Sequence, residues 1–475
     1  MTTGLRLLGV TVALMGTLAT SFAQKLDMTG IWAGELHIGG TSLRLVMRIS
    51  KGADGSLAAK LASPDQNAKD IPVKSVTVVD GKVKADVSVI GGVYEGDLNE
   101  KSLEIKGNWK QGGQSFPLNL KKTNKVPERT KLNRPQVPKK PYPYEEEVVT
   151  FENKTAGVKL EGTLTKPKTG GPFPAVLLVA GSGPNQRDEE ILEHPVFKVL
   201  ADYLTRNGFA VLRYDKRGVG KSTGSYSKAT TRDFADDALA GVAYLESLKE
   251  IQPKNVSAIG HSEGGLIVPI LATESDVKSI VMMAGPGIDG GQIMELQGAL
   301  INKAEGMPDK DVEAFRHRQK EIFAAIREAK DDADLNARLD KVAAETKASM
   351  SAEDLKKPEV EQSFAQARMV YTSIWTKYFI TYDPVPTLKK VKCPVLALNG
   401  EKDLQVPIDA NLPVIEAALK EGGNTDYTIK RLPNLNHLFQ TCKTGSPTEY
   451  GKIEETLSPK ALKIMTDWLK AHTKG

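Results

Sequence analysis

Hydrophobic and polar positions change their rhythm once along this chain, near the prolines that follow Val126. Before that point, from about Asp27 to Lys122, apolar residues alternate with polar ones in short runs such as Thr41-Ser-Leu-Arg-Leu-Val-Met-Arg-Ile, Leu57-Ala-Ala-Lys-Leu and Leu103-Glu-Ile-Lys-Gly-Asn-Trp. A period of two marks strands with one buried face, and Gly or Asp-Gly turns separate the runs at short intervals. The pattern predicts a small all-β accessory domain over 24–125, a sandwich or barrel, with Trp32 and Trp109 in its core. It holds no cluster of catalytic residue types, and its one histidine, His37, is isolated. The prolines over 126–145 fit neither helix nor central strand, so this stretch reads as an extended linker.

Beyond it, strands alternate with helices. Val148–Glu152 and Val158–Thr165 read as an opening hairpin, and Ala175–Ala180, Ala210–Tyr214, Val256–Ile259, Ser279–Ala284 and Val395–Leu398 read as buried strands. Helical spacing lies between them, as over Phe197–Asn207 and Phe234–Leu248. Such alternation predicts an α/β domain over 146–475, a mostly parallel sheet with helices on both faces, whose ligands sit at the carboxyl ends of the strands. Between about 285 and 391 no strand pattern occurs. Four helical, charge-rich stretches there predict a cap over the strand ends. Trp375, Tyr378 and Phe379 at its end are candidates either for core packing or for the lining of an apolar acyl pocket.

Composition narrows the class. At 475 residues, 40% hydrophobic and 26% charged, the chain has the balance of a soluble globular protein of two or three domains. Its net charge is only +5, from 64 basic and 59 acidic side chains without a long basic run, so no nucleic-acid partner is expected. Arg6, the apolar Leu7–Leu18 and the small residues of Ser21-Phe22-Ala23 predict a signal peptide over 1–23 and a periplasmic or secreted protein. The apolar run is shorter than the roughly 20 residues of a membrane span, and no cysteine stands near the cleavage point, so no stable membrane anchor is expected. Cys393 precedes a strand and Cys442 follows a loop at the opposite strand ends, too far apart for a disulfide, which predicts two free thiols.

The chemistry centres on Gly260-His261-Ser262-Glu263-Gly264, where a strand ends, turns sharply and starts a helix. Glycines on both sides suit a turn that leaves Ser262 alone above the sheet, with the N–H of Glu263 at a helix start to stabilise an oxyanion. An ordinary strand-to-helix turn is the plainer alternative. After the first buried strand comes Gly181-Ser-Gly-Pro-Asn-Gln-Arg-Asp, whose small residues make the N–H of Ser182 the candidate second oxyanion donor. The segment Tyr214-Asp-Lys-Arg-Gly-Val-Gly-Lys-Ser has Asp215 where a phosphate loop requires glycine. It reads as a tight structural loop with Asp215 and Arg217 paired.

A serine needs an adjacent base, best supplied by a carboxylate-held histidine. Of the six histidines, His37 lies in the front domain, His194 and His317 precede the last strands, His261 is inside the elbow and His472 is in the tail. That leaves His437, in a loop after the strand-like Tyr427-Thr-Ile-Lys. Asp403, just beyond Val395–Leu398, is the favoured acid, with Glu401 as its competitor. No metal and no cofactor is called for.

Gly260-His-Ser-Glu-Gly, the Asp215-Lys-Arg-Gly-Val-Gly-Lys-Ser loop and Gly400-Glu-Lys-Asp-Leu-Gln-Val-Pro together resemble the α/β-hydrolase superfamily, closest to its bacterial carboxylesterase and serine aminopeptidase-like branch. The resemblance runs from about Tyr142 to the C-terminus and implies a Ser, acid, His triad in that chain order. Many members carry His-Gly at the oxyanion loop where this chain has Ala180-Gly181. The expected function is hydrolysis of a small-molecule ester through an acyl-enzyme. An aminopeptidase-like activity would also need carboxylates for a substrate ammonium, for which Asp188-Glu-Glu or the acidic cap are candidates. A non-catalytic binding protein on a hydrolase fold is the third class.

Overall fold

In the computed structural model the chain divides into two compact units, one formed mainly by residues up to Pro127 and the other mainly by Glu128–Gly475. The structure describes residues 26–473 apart from 39–40, 53, 67, 112–113, 127–132 and 357, so the leader expected over 1–23 lies outside the described residues. Nine strands between Gly30 and Thr123 form an antiparallel sheet, whose first strand Gly30–Ile38 pairs with the last, Gln114–Thr123. The sheet curls toward closure, bringing its third strand to its fifth and its fourth to its sixth. Trp32 and Trp109 are buried inside it, and Tyr94 reaches the carbonyls of Ile105 and Leu118 at 3.1 Å each.

The second unit holds the alternating part of the chain. Its strands are β1 (Tyr144–Asn153), β2 (Val158–Pro167), β3 (Phe173–Val179), β4 (Ala210–Tyr214), β5 (Ile251–His261), β6 (Ile280–Met283), β7 (Val395–Gly400) and β8 (Tyr427–Leu432). They lie in the order β1-β2-β4-β3-β5-β6-β7-β8, and β4 through β8 run parallel to β3. The central strands β3, β4, β6 and β7 are buried almost throughout, without alternation, because both faces are covered. Leu177 and Leu212 face a core shared with α2 (Thr231–Ser247) and α3 (Glu263–Glu274), through Phe234 and Ile267. Val176, Leu178 and Val211 face the opposite core, built with Phe197 and Leu200 of α1 (Val196–Arg206) and with Leu462 and Met465 near the C-terminus.

Between β6 and β7 the chain leaves the sheet for the cap: α4 (Gly290–Ala304), α5 (Asp309–Glu328), α6 (Asp332–Ala348), α7 (Pro358–Tyr371) and α8 (Ile374–Thr381). Phe323, Ile326, Leu335, Leu339 and Ile380 give it a small core of its own. A second cluster, Leu266, Ile293, Phe379 and Val406, packs it onto α3 and the loop after β7. The cap therefore covers the strand ends, where the candidate chemistry lies.

The described part of the linker is bound rather than free. Arg134 donates to the carbonyls of Ile453 at 2.8 Å and Gly451 at 2.9 Å, and Gln136 both donates to Leu457 O and accepts from the Thr456 and Leu457 amides. The prolines supply extended backbone, and the polar side chains between them fasten it to the same unit. Cys393 and Cys442 are both free, and burial pushes their thiols up to about 12 and about 11. Among the described residues no helix is long and apolar enough to cross a membrane.

Candidate active site

Ser262 stands between β5 and α3 with φ 54° and ψ −118°, a left-handed backbone that costs a serine about 1–3 kcal/mol unless its surroundings impose it. They do. A Cβ on Gly260 would lie 2.0 Å from Gly264 O, and one on Gly264 would lie 2.0 Å from Val179 O, so only glycine lets α3 start this close to the sheet. The Ser262 amide is held by Met283 O at 2.9 Å. Its hydroxyl has no hydrogen-bond partner among the described residues, and it lines a cavity of about 330 Å³ together with His437.

His437 sits in a loop beyond β8 that is shaped by Asn436, whose side-chain oxygen accepts from the Leu438 and Gln440 amides at 3.0 Å each. Its Nδ1 donates to Asp403 Oδ2 at 2.8 Å, and both side chains are almost fully buried. Asp403 Oδ1 accepts from the Gln405 and Val406 amides at 2.7 and 2.9 Å, which fixes the carboxylate so that its other oxygen faces the imidazole. An Nδ1–H tied to a carboxylate leaves the lone pair on Nε2, the nitrogen able to accept a proton. Glu401 is exposed, with Arg431 3.9 Å away. Of the two candidate acids, Asp403 is the one in contact with the histidine.

On the other side of the serine, Ser182 and Glu263 both line the cavity, and their amides have no acceptor among the described residues. The Gly181 amide is already taken: it donates to Glu189 Oε1 at 2.6 Å. The same oxygen accepts from His261 Nδ1 at 3.0 Å, while His261 Nε2 donates to the His437 carbonyl at 3.0 Å. Burial alone would push the His261 imidazole down, but the Glu189 carboxylate and the His437 carbonyl outweigh it and raise its pKa. His261 and Glu189 are thus a buried ion pair that links the loop after β3 to the histidine loop.

The cavity wall is largely apolar, with Ile191, Ile293, Met294, Val406 and Leu438 beside the stacked Trp375 and Phe379, whose rings are 4.9 Å apart. Tyr378 is a correction. It does not line the cavity but stacks on Tyr382 with centroids 5.7 Å apart, because one helical step turns it away from the face that Trp375 and Phe379 share. The expected Asp215–Arg217 pair is also corrected. Asp215 binds Arg187 at 2.6 Å, and Arg217 binds Asp237 at 2.6 Å, since the two side chains leave the loop in different directions. Of the candidate ammonium-holding carboxylates in Asp188-Glu-Glu, Asp188 is tied to Arg213 at 2.6 Å and Glu190 is exposed, leaving only Glu189 at the cavity.

The model of the X-Pro dipeptidyl-peptidase (S15) family matches residues 156–423, more than half of the chain. The chain belongs to that family. This S15-family chain is an α/β-hydrolase of the esterase and peptidase type, and its strand order and its sharp turn at Ser262 fit that fold. It is 38% identical over 149 residues to Esterase EstD of Thermotoga maritima, a match that spans 31% of this chain and only 36% of that esterase. Among solved structures it is similar to the Pyrococcus furiosus esterase Pf2001, at 16% identity and a TM-score of 0.41 over 70% of this chain and 93% of the other. The proline iminopeptidase of Mycobacterium smegmatis gives 18% identity and a TM-score of 0.41 over 69% of this chain and 99% of the other.

Proposed function

We propose that this chain is a serine hydrolase that cleaves carboxylic esters through an acyl-enzyme, with Ser262 as nucleophile, His437 as base and Asp403 as the acid that orients it. The observation that carries the reading is the buried 2.8 Å contact between Asp403 and His437, beside a cavity that Ser262 also lines. The Ser262 Oγ attacks the ester carbonyl as its proton passes to His437 Nε2. The amides of Ser182 and Glu263 then hold the oxyanion. Collapse breaks the bond to the alcohol oxygen, which takes the proton from His437, and a water repeats the sequence on the acyl group. Asp403 stabilises the imidazolium without accepting its proton.

Two observations favour an ester over a peptide. The wall beside the serine is mainly apolar, and of the three acidic residues at 188–190 only Glu189 reaches the cavity, where its Oε1 is held by Gly181 and His261, so no carboxylate pair forms there. A peptidase is the second reading, supported by the family match. Hydrolysis of p-nitrophenyl butyrate at about a hundred times the kcat/KM of an X-Pro p-nitroanilide is the expected result. The reverse order would assign the site to peptides, and turnover of neither would favour a binding role. A periplasmic or secreted location, read from the leader, belongs to the same proposal. Osmotic-shock fractionation with N-terminal sequencing is expected to find the chain beginning at Gln24, and retention in the cytoplasm with Met1 intact would overturn it.

A further inference from the structure

The loop after β4, which the sequence presents as a failed phosphate loop, places one side chain beside the reaction centre. Lys216 is buried, with its side chain 4% exposed, next to Glu263, whose side chain is fully buried. A buried ammonium must find partners for its charge and its three protons. Lys216 Nζ donates to Gly181 O at 2.6 Å and to Glu263 Oε2 at 3.1 Å, and it lies 4.3 Å from the centre of the Phe234 ring. The two residues it joins are those of the candidate oxyanion donors, since Gly181 precedes Ser182 in the chain and Glu263 bears the other amide itself.

We propose that Lys216 is the positioning residue of the oxyanion hole, clamping the Gly181–Ser182 peptide to the Glu263 side chain so that both free amides stay aimed at the carbonyl attacked by Ser262. The geometry follows from the peptide bond. Carbonyl and N–H point in opposite directions across a trans peptide, so when Gly181 O is turned toward Lys216 and toward Asn185 Nδ2, 2.8 Å away, the Ser182 N–H is turned the other way. Ser182 lines the cavity, and a Cβ on Gly181 would stand only 3.1 Å from Ser262 Cβ. The Glu263 carboxylate is held in turn by Thr231 Oγ1 and Trp375 Nε1, each at 2.7 Å, so the clamp also reaches the cap. A donor held before the charge develops need not reorganise as it forms.

This inference rests on the serine-hydrolase reading, and the experiment separates the two. Reaction with a fluorophosphonate, mapped by mass spectrometry, together with the activity of Ser262→Ala, tests that reading alone. For the clamp, kcat and KM on p-nitrophenyl butyrate are measured for Lys216→Met, alongside the Ki of a trifluoromethyl ketone, which forms a tetrahedral adduct, and of butyrate, which does not. The expected result is a fall in kcat of about 10²-fold, with KM little changed. The ketone Ki should rise by a similar factor and the butyrate Ki should hold. Removing Lys216 strands the Glu263 charge, so the double variant Lys216→Met with Glu263→Gln keeps the test valid if the single variant does not fold. Asn185→Leu removes the other donor to Gly181 O and should cost about tenfold in kcat. A folded Lys216 variant within about threefold of the parent in kcat, or one that weakens ketone and butyrate equally, would overturn the proposal.

Discussion

Replacing Asp403 by asparagine isolates the role proposed for it as the triad acid. The amide side chain keeps an oxygen for the Gln405 and Val406 amides, which in the parent bind Oδ1 at 2.7 and 2.9 Å, so the loop should survive. What changes is the group facing His437: an NH₂ replaces the oxygen that accepts the Nδ1 proton at 2.8 Å. The imidazole must then turn its lone pair to that NH₂ and carry its proton on Nε2, where it cannot accept the proton of Ser262. Loss of the correct tautomer costs about 10⁴-fold in kcat, or about 5 kcal/mol in the barrier. Glu401 is the internal control. It is exposed and 3.9 Å from Arg431, a surface pair contributing on the order of 0–1 kcal/mol, so Glu401→Gln should stay within about tenfold of the parent. Steady-state kinetics on p-nitrophenyl butyrate, with circular dichroism as a check on folding, should show a gap of at least about 10³ between the variants. Comparable kcat/KM values, or the reverse order, would refute the assignment.

Three further outcomes follow from the packing. Trp375→Ala and Phe379→Ala should shift the preferred acyl chain length, read from a series of p-nitrophenyl esters, whereas Tyr378→Ala should lower thermal stability and leave the preference unchanged. Gly264→Ala should abolish soluble expression, because its Cβ would sit 2.0 Å from Val179 O; recovery of folded protein would contradict the elbow geometry. His194 is buried with Nε2 facing Tyr450 O and Nδ1 facing Thr456 Oγ1, and burial holds its pKa down at about 4, below the ordinary 6.5. The unfolded chain therefore takes up a proton between these values that the fold refuses. Stability from this residue is complete above about pH 6.5 and falls as the pH drops toward about 4, by about 2 kcal/mol between pH 7 and pH 5 in urea unfolding. His194→Asn should flatten that dependence, and an unchanged slope would refute it. His261 acts in the opposite sense, its raised pKa giving stability that is lost only as the pH climbs through it.

Much of this was legible in the sequence because it is local. The period of two announced the front domain, and unbroken apolar runs announced strands covered on both faces. The glycines around Ser262 announced the elbow, and elimination among six histidines led to His437. What could not be read are pairings between distant segments. Asp215 and Arg217 are near neighbours in sequence, yet their partners, Arg187 and Asp237, come from another loop and from α2. Glu189 and His261 are 72 positions apart, and only the fold places them together. Tyr378 departs from expectation for another reason. Tyr378 and Phe379 both lie one turn beyond Trp375 on the same helix, and only the packing of α8 decides which of them faces the cavity. A signal for Lys216 was present: charged Asp-Lys-Arg directly follows a buried strand, where each charge needs a partner.

The central claim is that Ser262 is the nucleophile. Its most direct test is intact-mass analysis of the purified chain mixed with p-nitrophenyl butyrate and quenched in acid during the steady state. A single added butyryl group that maps to the Ser262 peptide, disappears as substrate is exhausted and is absent from Ser262→Ala is the expected result. Turnover of the ester with no acyl adduct, or with an adduct on another residue, or undiminished in Ser262→Ala, would contradict it.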